Sequence, residues 1–182
     1  MWRQSQPQWD SQRLVFIDET GLNTKMARLY GRCPKNLRCV ASVPHGHWQS
    51  STFIAALRAE SISAPFLIEG AVNAEVFTAY LAQVLCPELR CGDVVILDNL
   101  STHKIANVGA LISARGATVR YLPPYSPDLN PIEMAFAKLK SHLRQAAART
   151  LADLQGSLAQ SLASFQPAHC RGFFRHARYA SI

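Results

Sequence analysis

Apolar residues change their spacing along this chain, and the change predicts the order of its elements. Leu14-Val15-Phe16-Ile17 is a continuous apolar run that carries on through Asp18 to Thr20, as expected of a strand covered on both faces. Residues 38–43, 51–57 and 64–68 read as further strands, with the turn-rich Pro44-His45-Gly46-His47-Trp48 between the first two. The period then lengthens. Val76, Phe77, Tyr80, Leu81, Val84 and Leu85 recur at helical spacing behind Asn73, a good N-cap, and stop before Pro87. Gly92-Asp93 introduces a strand over 94–97, a helix is expected over about 103–114, and 118–122 gives another strand before a proline-rich loop. Ile132, Phe136, Leu139 and Leu143 form the apolar stripe of the next helix. Thr150-Leu151-Ala152-Asp153 has the form of a capping box and starts a helix striped by Leu151, Leu154, Leu158, Leu162 and Phe165. Three early antiparallel strands followed by βαβα predict an α/β fold, a five-stranded mixed sheet flanked by helices. Residues 1–12 read as a polar linker remnant, 13–148 as the α/β domain, and 149–182 as a C-terminal helical extension packed on it.

Three acids stand out against this pattern. Asp18 lies inside an apolar strand, where an ionised carboxylate is costly unless paired or metal-bound. Asp98 closes the run Val94-Val95-Ile96-Leu97, and ligands of open α/β sheets gather at the carboxyl ends of strands, although a turn residue or helix cap would also fit there. Glu133 follows after 34 intervening residues, at the end of Pro123-Pro124-Tyr125-Ser126-Pro127-Asp128-Leu129-Asn130-Pro131-Ile132-Glu133. With Asn130 as N-cap and Pro131 at the first helical position, Glu133 alone would be explained as the third-position partner of a capping box. At ~100° per residue, however, Lys140 and Arg144 fall within about 20° of Glu133 beside the apolar stripe. One helix face thus carries an acid followed by two candidate DNA-binding bases. A cluster of hard carboxylate oxygens suits Mg²⁺ and phosphoryl chemistry.

Composition sets the limits. With 182 residues and 48% hydrophobic content, the chain has enough for one real core. Nineteen Lys and Arg against twelve Asp and Glu give +7, and residues 134–182 hold seven basic residues and one acid. A basic region behind an acid cluster suits a DNA backbone at a metal site, although a solvated helix face would carry the same charges. Five cysteines without a Cys-x-x-Cys pair, and without a signal peptide, read as reduced thiols. Cys33, Cys39, His45 and His47 fit no standard zinc finger. The apolar runs fall short of the ~20 residues a membrane span needs, and no glycine-rich phosphate loop is present. Trp48 is a candidate for stacking on a base, with ordinary packing as the alternative.

Phe16-Ile17-Asp18-Glu19-Thr20, Leu97-Asp98-Asn99-Leu100-Ser101-Thr102-His103-Lys104 and the 124–133 motif together resemble the catalytic domain of DDE transposases, in the branch of bacterial insertion-sequence relatives of the mariner superfamily. The resemblance runs from about Leu14 to about Arg144. It implies a ribonuclease H-like fold, with Asp18, Asp98 and Glu133 as the catalytic acids. They would hold two Mg²⁺ ions, with Mn²⁺ as a substitute, Asp18 bridging both. It implies cleavage of double-stranded DNA at transposon ends and strand transfer into target DNA, by a homodimer in a synaptic complex. His103 would sit beside the scissile DNA, with Lys104 as a further contact. The setting would be the bacterial cytoplasm, at the nucleoid. Relatives carry helix-turn-helix modules ahead of this domain, whereas about a dozen residues precede the first strand here. That points to a fragment, a separate upstream reading frame, or a degenerate copy. Two other readings stay open. One is a catalytically silent transposase-derived DNA-binding or assembly protein. The other is a haloacid-dehalogenase-like phosphatase with Asp18 as nucleophile, which needs an acid where Thr20 stands. Glu19 points to the opposite strand face by alternation and stays outside the triad.

Overall fold

The run beginning at Leu14 becomes β1 (Leu14–Asn23), the central strand of the sheet. The computed structural model describes residues 2–99 and 106–179. β2 (Ser50–Leu57) and β3 (Ile62–Glu69) follow as an antiparallel meander, and β4 (Val94–Leu97) and β5 (Thr118–Tyr121) add in parallel on the other side of β1. The order β3-β2-β1-β4-β5 is the expected five-stranded mixed sheet.

Alternation along β1 sorts its side chains into two cores. Leu14, Phe16 and Leu22 face one side, where α4 (Ile132–Ala146), α5 (Leu151–Ala163) and α6 (Pro167–His176) pack. Val15 and Ile17 face the other, against α2 (Ala74–Tyr80), the π-helical turn that continues it, and α3 (Ala106–Ser113). The α4 stripe is buried as the spacing predicts, with Ile132, Phe136, Leu139 and Leu143 each at most 2% exposed. Asn73 caps α2 by accepting from the Val76 amide, and Thr150 caps α5 by accepting from the Asp153 amide.

Residues 38–43 do not form the expected strand. β1 runs on to Asn23 and pairs there with Ser50, so residues 24–49 form an excursion from the sheet. Val40 and Val43 stand 83% and 60% exposed, and an apolar alternation with no face to cover does not stabilise a strand.

The polar segment before β1 folds onto the core. It forms α1 (Trp2–Ser5) and two 3₁₀ turns, Gln6–Gln8 and Ser11–Arg13. The Trp2 indole donates to the Tyr179 hydroxyl at 3.1 Å, and Gln6 donates to the Ala177 carbonyl at 3.0 Å. Among the described residues, no helix is long and apolar enough to cross a membrane.

Candidate functional site

Strand register brings the first two acids together. Phe16 pairs with Ile96 across the parallel β1–β4 ladder, and both side chains belong to the same core. Two residues further along β1, alternation returns to that face at Asp18, and Asp98 directly follows the last residue of β4. Asp18 and Asp98 therefore emerge side by side at the carboxyl end of the parallel pair. Leu122, just after β5, and the loop 123–131 carry the chain back across this end into α4, whose second residue is Glu133. Asp18, Asp98 and Glu133 all line one cleft of about 370 Å³, together with Asn99, Tyr125 and Asn130.

Asp18 is 8% exposed, and its buried carboxylate is held at both oxygens. Oδ1 accepts from the Glu19 amide at 2.8 Å, and Oδ2 accepts from the Asn130 side-chain amide at 2.8 Å. This corrects the expectation that Asn130 caps α4. The helix begins at Ile132, Pro131 occupies the cap position, and no side chain caps it. A buried carboxylate is costlier to leave without a donor than a helix-end amide bordering a cleft, so the Asn130 side chain serves Asp18. Its backbone carbonyl instead accepts from the Glu133 amide at 3.3 Å. Glu133 is thereby freed from the capping-box explanation, and it is exposed to the cleft.

The donor chemistry suits a hard divalent cation: three carboxylates line the same cleft, and Asn130 adds an amide oxygen, Oδ1, that is buried without a hydrogen-bond partner among the described residues. An ionised carboxylate only accepts, so the amide must turn its NH₂ group to Asp18, and Oδ1 remains as an acceptor. Among the described residues no three His, Cys, Asp or Glu side chains form a ready-made cage.

The two bases of the α4 face lie elsewhere. Lys140 and Arg144 line a second cleft, formed with the far end of β1 and the 24–49 excursion. The Lys140 ammonium is pushed below its usual pKa, first by burial and then by Arg144, while Glu133 works in the opposite direction. Trp48 is 53% exposed, with the Lys25 ammonium 4.4 Å from its ring centre. His103 and Lys104 lie outside the described residues.

Sequence reasoning missed the Asn130 bond to Asp18, which joins residues 112 positions apart. It also missed Tyr125, whose side chain stands fully exposed at the cleft from a left-handed backbone, φ 53°. The only hint of Tyr125 was its place between Pro124 and Pro127.

Comparison with known proteins agrees with this fold. The family model described as DDE superfamily endonuclease matches residues 13–155. No curated protein matches the chain. Among solved structures, a pre-cleavage Mos1 transpososome superposes with TM-score 0.71 at 15% identity, over 92% of this chain and 53% of that one. The Mos1 strand transfer complex gives TM-score 0.67 at 17% identity, over 91% and 52%. The catalytic domain of Mos1 mariner transposase gives 0.63 at 15% identity, over 92% and 78%. The sheet and its flanking helices are thus the ribonuclease H-like fold, and the chain spans about half the length of the Mos1 chains in the DNA complexes.

Proposed function

The chain belongs to the DDE superfamily of endonucleases, and from that membership we propose that Asp18, Asp98 and Glu133 serve a metal-dependent cut of DNA at transposon ends and the joining of those ends to target DNA. The observation that carries the proposal is the common cleft of the three acids, reached from two adjacent parallel strands and a helix far apart in sequence. Two Mg²⁺ ions, or Mn²⁺ in their place, would be held by these carboxylates. Bound there, they would activate water or a 3′ hydroxyl against a phosphodiester and stabilise the leaving oxygen.

The protein's own part is positional and electrostatic. β1 carries Asp18, the end of β4 presents Asp98, Asn130 sets the orientation of Asp18, and α4 presents Glu133 from its first turn. Solved Mos1 complexes with a transposon end and in strand transfer support double-stranded DNA as the substrate here. Mos1 structures with Mg and with Mn support either ion. The same reading includes a homodimer pairing two ends, a helix-turn-helix module ahead of this domain or on a separate chain, and action at the nucleoid of a bacterium.

Glu133→Gln tests the proposal cleanly, because Glu133 is exposed and caps nothing. Nicking and strand transfer on pre-nicked ends, with Mg²⁺ or Mn²⁺, should fall by roughly a hundredfold or more while the melting temperature holds. Asp98→Asn should behave alike. Asp18→Asn should lose activity and some stability, since an amide cannot accept at both ends from Glu19 and Asn130. Near wild-type nicking by all three folded variants would reject the triad. It would return the chain to the reading of a silent DNA-binding or assembly protein.

A further inference from the structure

The cleft of the three acids is lined, among the described residues, by no Lys, Arg or His. Apart from Asp18, Asp98 and Glu133, its side chains are neutral. A DNA strand brought to the acids carries a phosphate at every step, and a phosphate oxygen needs a donor from the protein to fix its position. Lysine and arginine commonly supply one. In this cleft, however, either would pair with the carboxylates and take the place of a metal ion. A neutral donor holds a phosphate without that competition.

The neutral donors of the cleft differ in what they have left to give. The Asn130 amide is spent on Asp18, and the Ser126 hydroxyl donates to the Pro124 carbonyl at 3.3 Å. Asn99 is half-buried. Tyr125 is fully exposed, and its hydroxyl has no hydrogen-bond partner among the described residues. Its backbone adds a second observation. At φ 53° Tyr125 occupies the left-handed position after Pro124, one that glycine or asparagine fills more readily in a tight turn. Pro124 fixes its own φ, and Pro127 restricts Ser126, so the loop around the tyrosine has little freedom. Among the described residues nothing packs on the ring, so burial does not explain an aromatic side chain in this conformation. A strained, outward-pointing residue beside three acids calls for an external partner.

We propose that Tyr125 is a positioning residue whose hydroxyl donates to a non-bridging phosphate oxygen of the DNA strand lying at the three acids. The proposal deepens the reading of the chain as a DNA-cutting enzyme and rests on it. The ring serves as the stem that carries the donor out from the loop. The phenol contributes a charge-assisted hydrogen bond to the phosphate while adding no charge of its own to the cleft. Because the loop leads directly into Asn130 and α4, the hydroxyl fixes the strand relative to Asp18 and Glu133 together.

The test removes the hydroxyl alone. Tyr125→Phe keeps the ring, and on a pre-nicked duplex with Mg²⁺ its kcat/KM for strand transfer should fall roughly tenfold with the melting temperature unchanged. Tyr125→Ala should lose no more than Tyr125→Phe does. Methylphosphonates, placed one at a time at the phosphates around the nick, locate the partner. At one position the wild type should lose about tenfold more than Tyr125→Phe, because the variant has no donor left to forfeit. Tyr125→Gly, which adopts the left-handed backbone without strain, should be no less stable than the wild type and as impaired as Tyr125→Ala. Full activity of Tyr125→Phe overturns the hydroxyl contact. So does an equal response of both proteins to every methylphosphonate, and so does a marked fall in the melting temperature of Tyr125→Gly, which would make the ring a packing element. Loss in Tyr125→Ala but not in Tyr125→Phe overturns it as well and assigns the contact to the ring. A wild-type protein that joins DNA while Tyr125→Phe matches it removes only this contact, whereas a wild-type protein that neither nicks nor joins removes the DNA reading and this contact with it.

Discussion

Asn130 is the residue on which Asp18 depends, and its two amide atoms have different duties. Nδ2 donates to the buried Asp18 carboxylate, while Oδ1 is left without a partner among the described residues. If the bond only filled a hole, Asn130→Ala would lower stability by about 1–3 kcal/mol, the cost of an unpaired buried acceptor, and nothing else. If it orients a metal ligand, the Mg²⁺ concentration for half-maximal nicking should also rise by about 10–100-fold, as when outer partners of ligands are removed. Titrating Mg²⁺ alongside a melting curve separates the two, and a pure stability loss would reduce Asn130 to packing. Asp18 itself was legible in the sequence because a charge inside an apolar strand is conspicuous. Asn130 was misread because Asn followed by Pro before an apolar stripe is the pattern of a helix cap, and a local pattern cannot reveal that a distant buried carboxylate competes for the same amide.

At the scale of elements, burial decided what could be read. Strands covered on both faces and helices with one apolar face announced themselves, since each needs a particular period to reach the core. The 38–43 segment has apolar residues without a core to meet, and its valines ended in solvent. The helix α4 shows how one element serves three ends. Its stripe is buried, its first turn offers Glu133 to one cleft, and its middle and last turn offer Lys140 and Arg144 to another. Replacing both bases with Ala should leave folding intact, because neither belongs to the core, and should reduce the slope of log affinity against log salt by about two units, one per lost phosphate contact. An unchanged slope would mean that these cations never meet phosphate. The positive excess of residues 134–182, by contrast, is not one surface. Arg149 is engaged by the carbonyls of Thr24 and Met26, Lys138 by the His169 ring, and Arg171 by Glu60. Charge counting along the chain could not separate these bound cations from the pair in the cleft.

Across the whole molecule, the two ends of the described chain close on the loop that carries Asn130. Tyr179 is 1% exposed, stacks on Trp9 and meets Phe16 and Phe174 edge-on. Its hydroxyl donates to the Leu129 carbonyl at 2.7 Å and accepts from the Trp2 indole at 3.1 Å. On the surface, Arg3 pairs with Asp128 at 2.6 Å, an exposed contact of small energetic weight. Leu129 directly precedes Asn130, so the buried hydroxyl links N-terminal segment, C-terminal turn and site loop through one atom. Tyr179→Phe keeps the ring and removes that link. It leaves a buried carbonyl and an indole N–H without their partner, which should cost about 1–3 kcal/mol, or a melting-temperature fall of about 2–12 °C for a domain of this size. Trp2→Phe removes the donor of the bond whose acceptor Tyr179→Phe removes, and the two losses should be non-additive in a double-mutant cycle, because both variants break one shared bond. If Asn130 orients a metal ligand, the Mg²⁺ concentration for half-maximal nicking should also rise in Tyr179→Phe, by less than in Asn130→Ala, since the hydroxyl acts on Asn130 through Leu129. An unaltered melting temperature in Tyr179→Phe, or strictly additive losses in the cycle, would show that the chain ends merely lie against the loop and do not hold it.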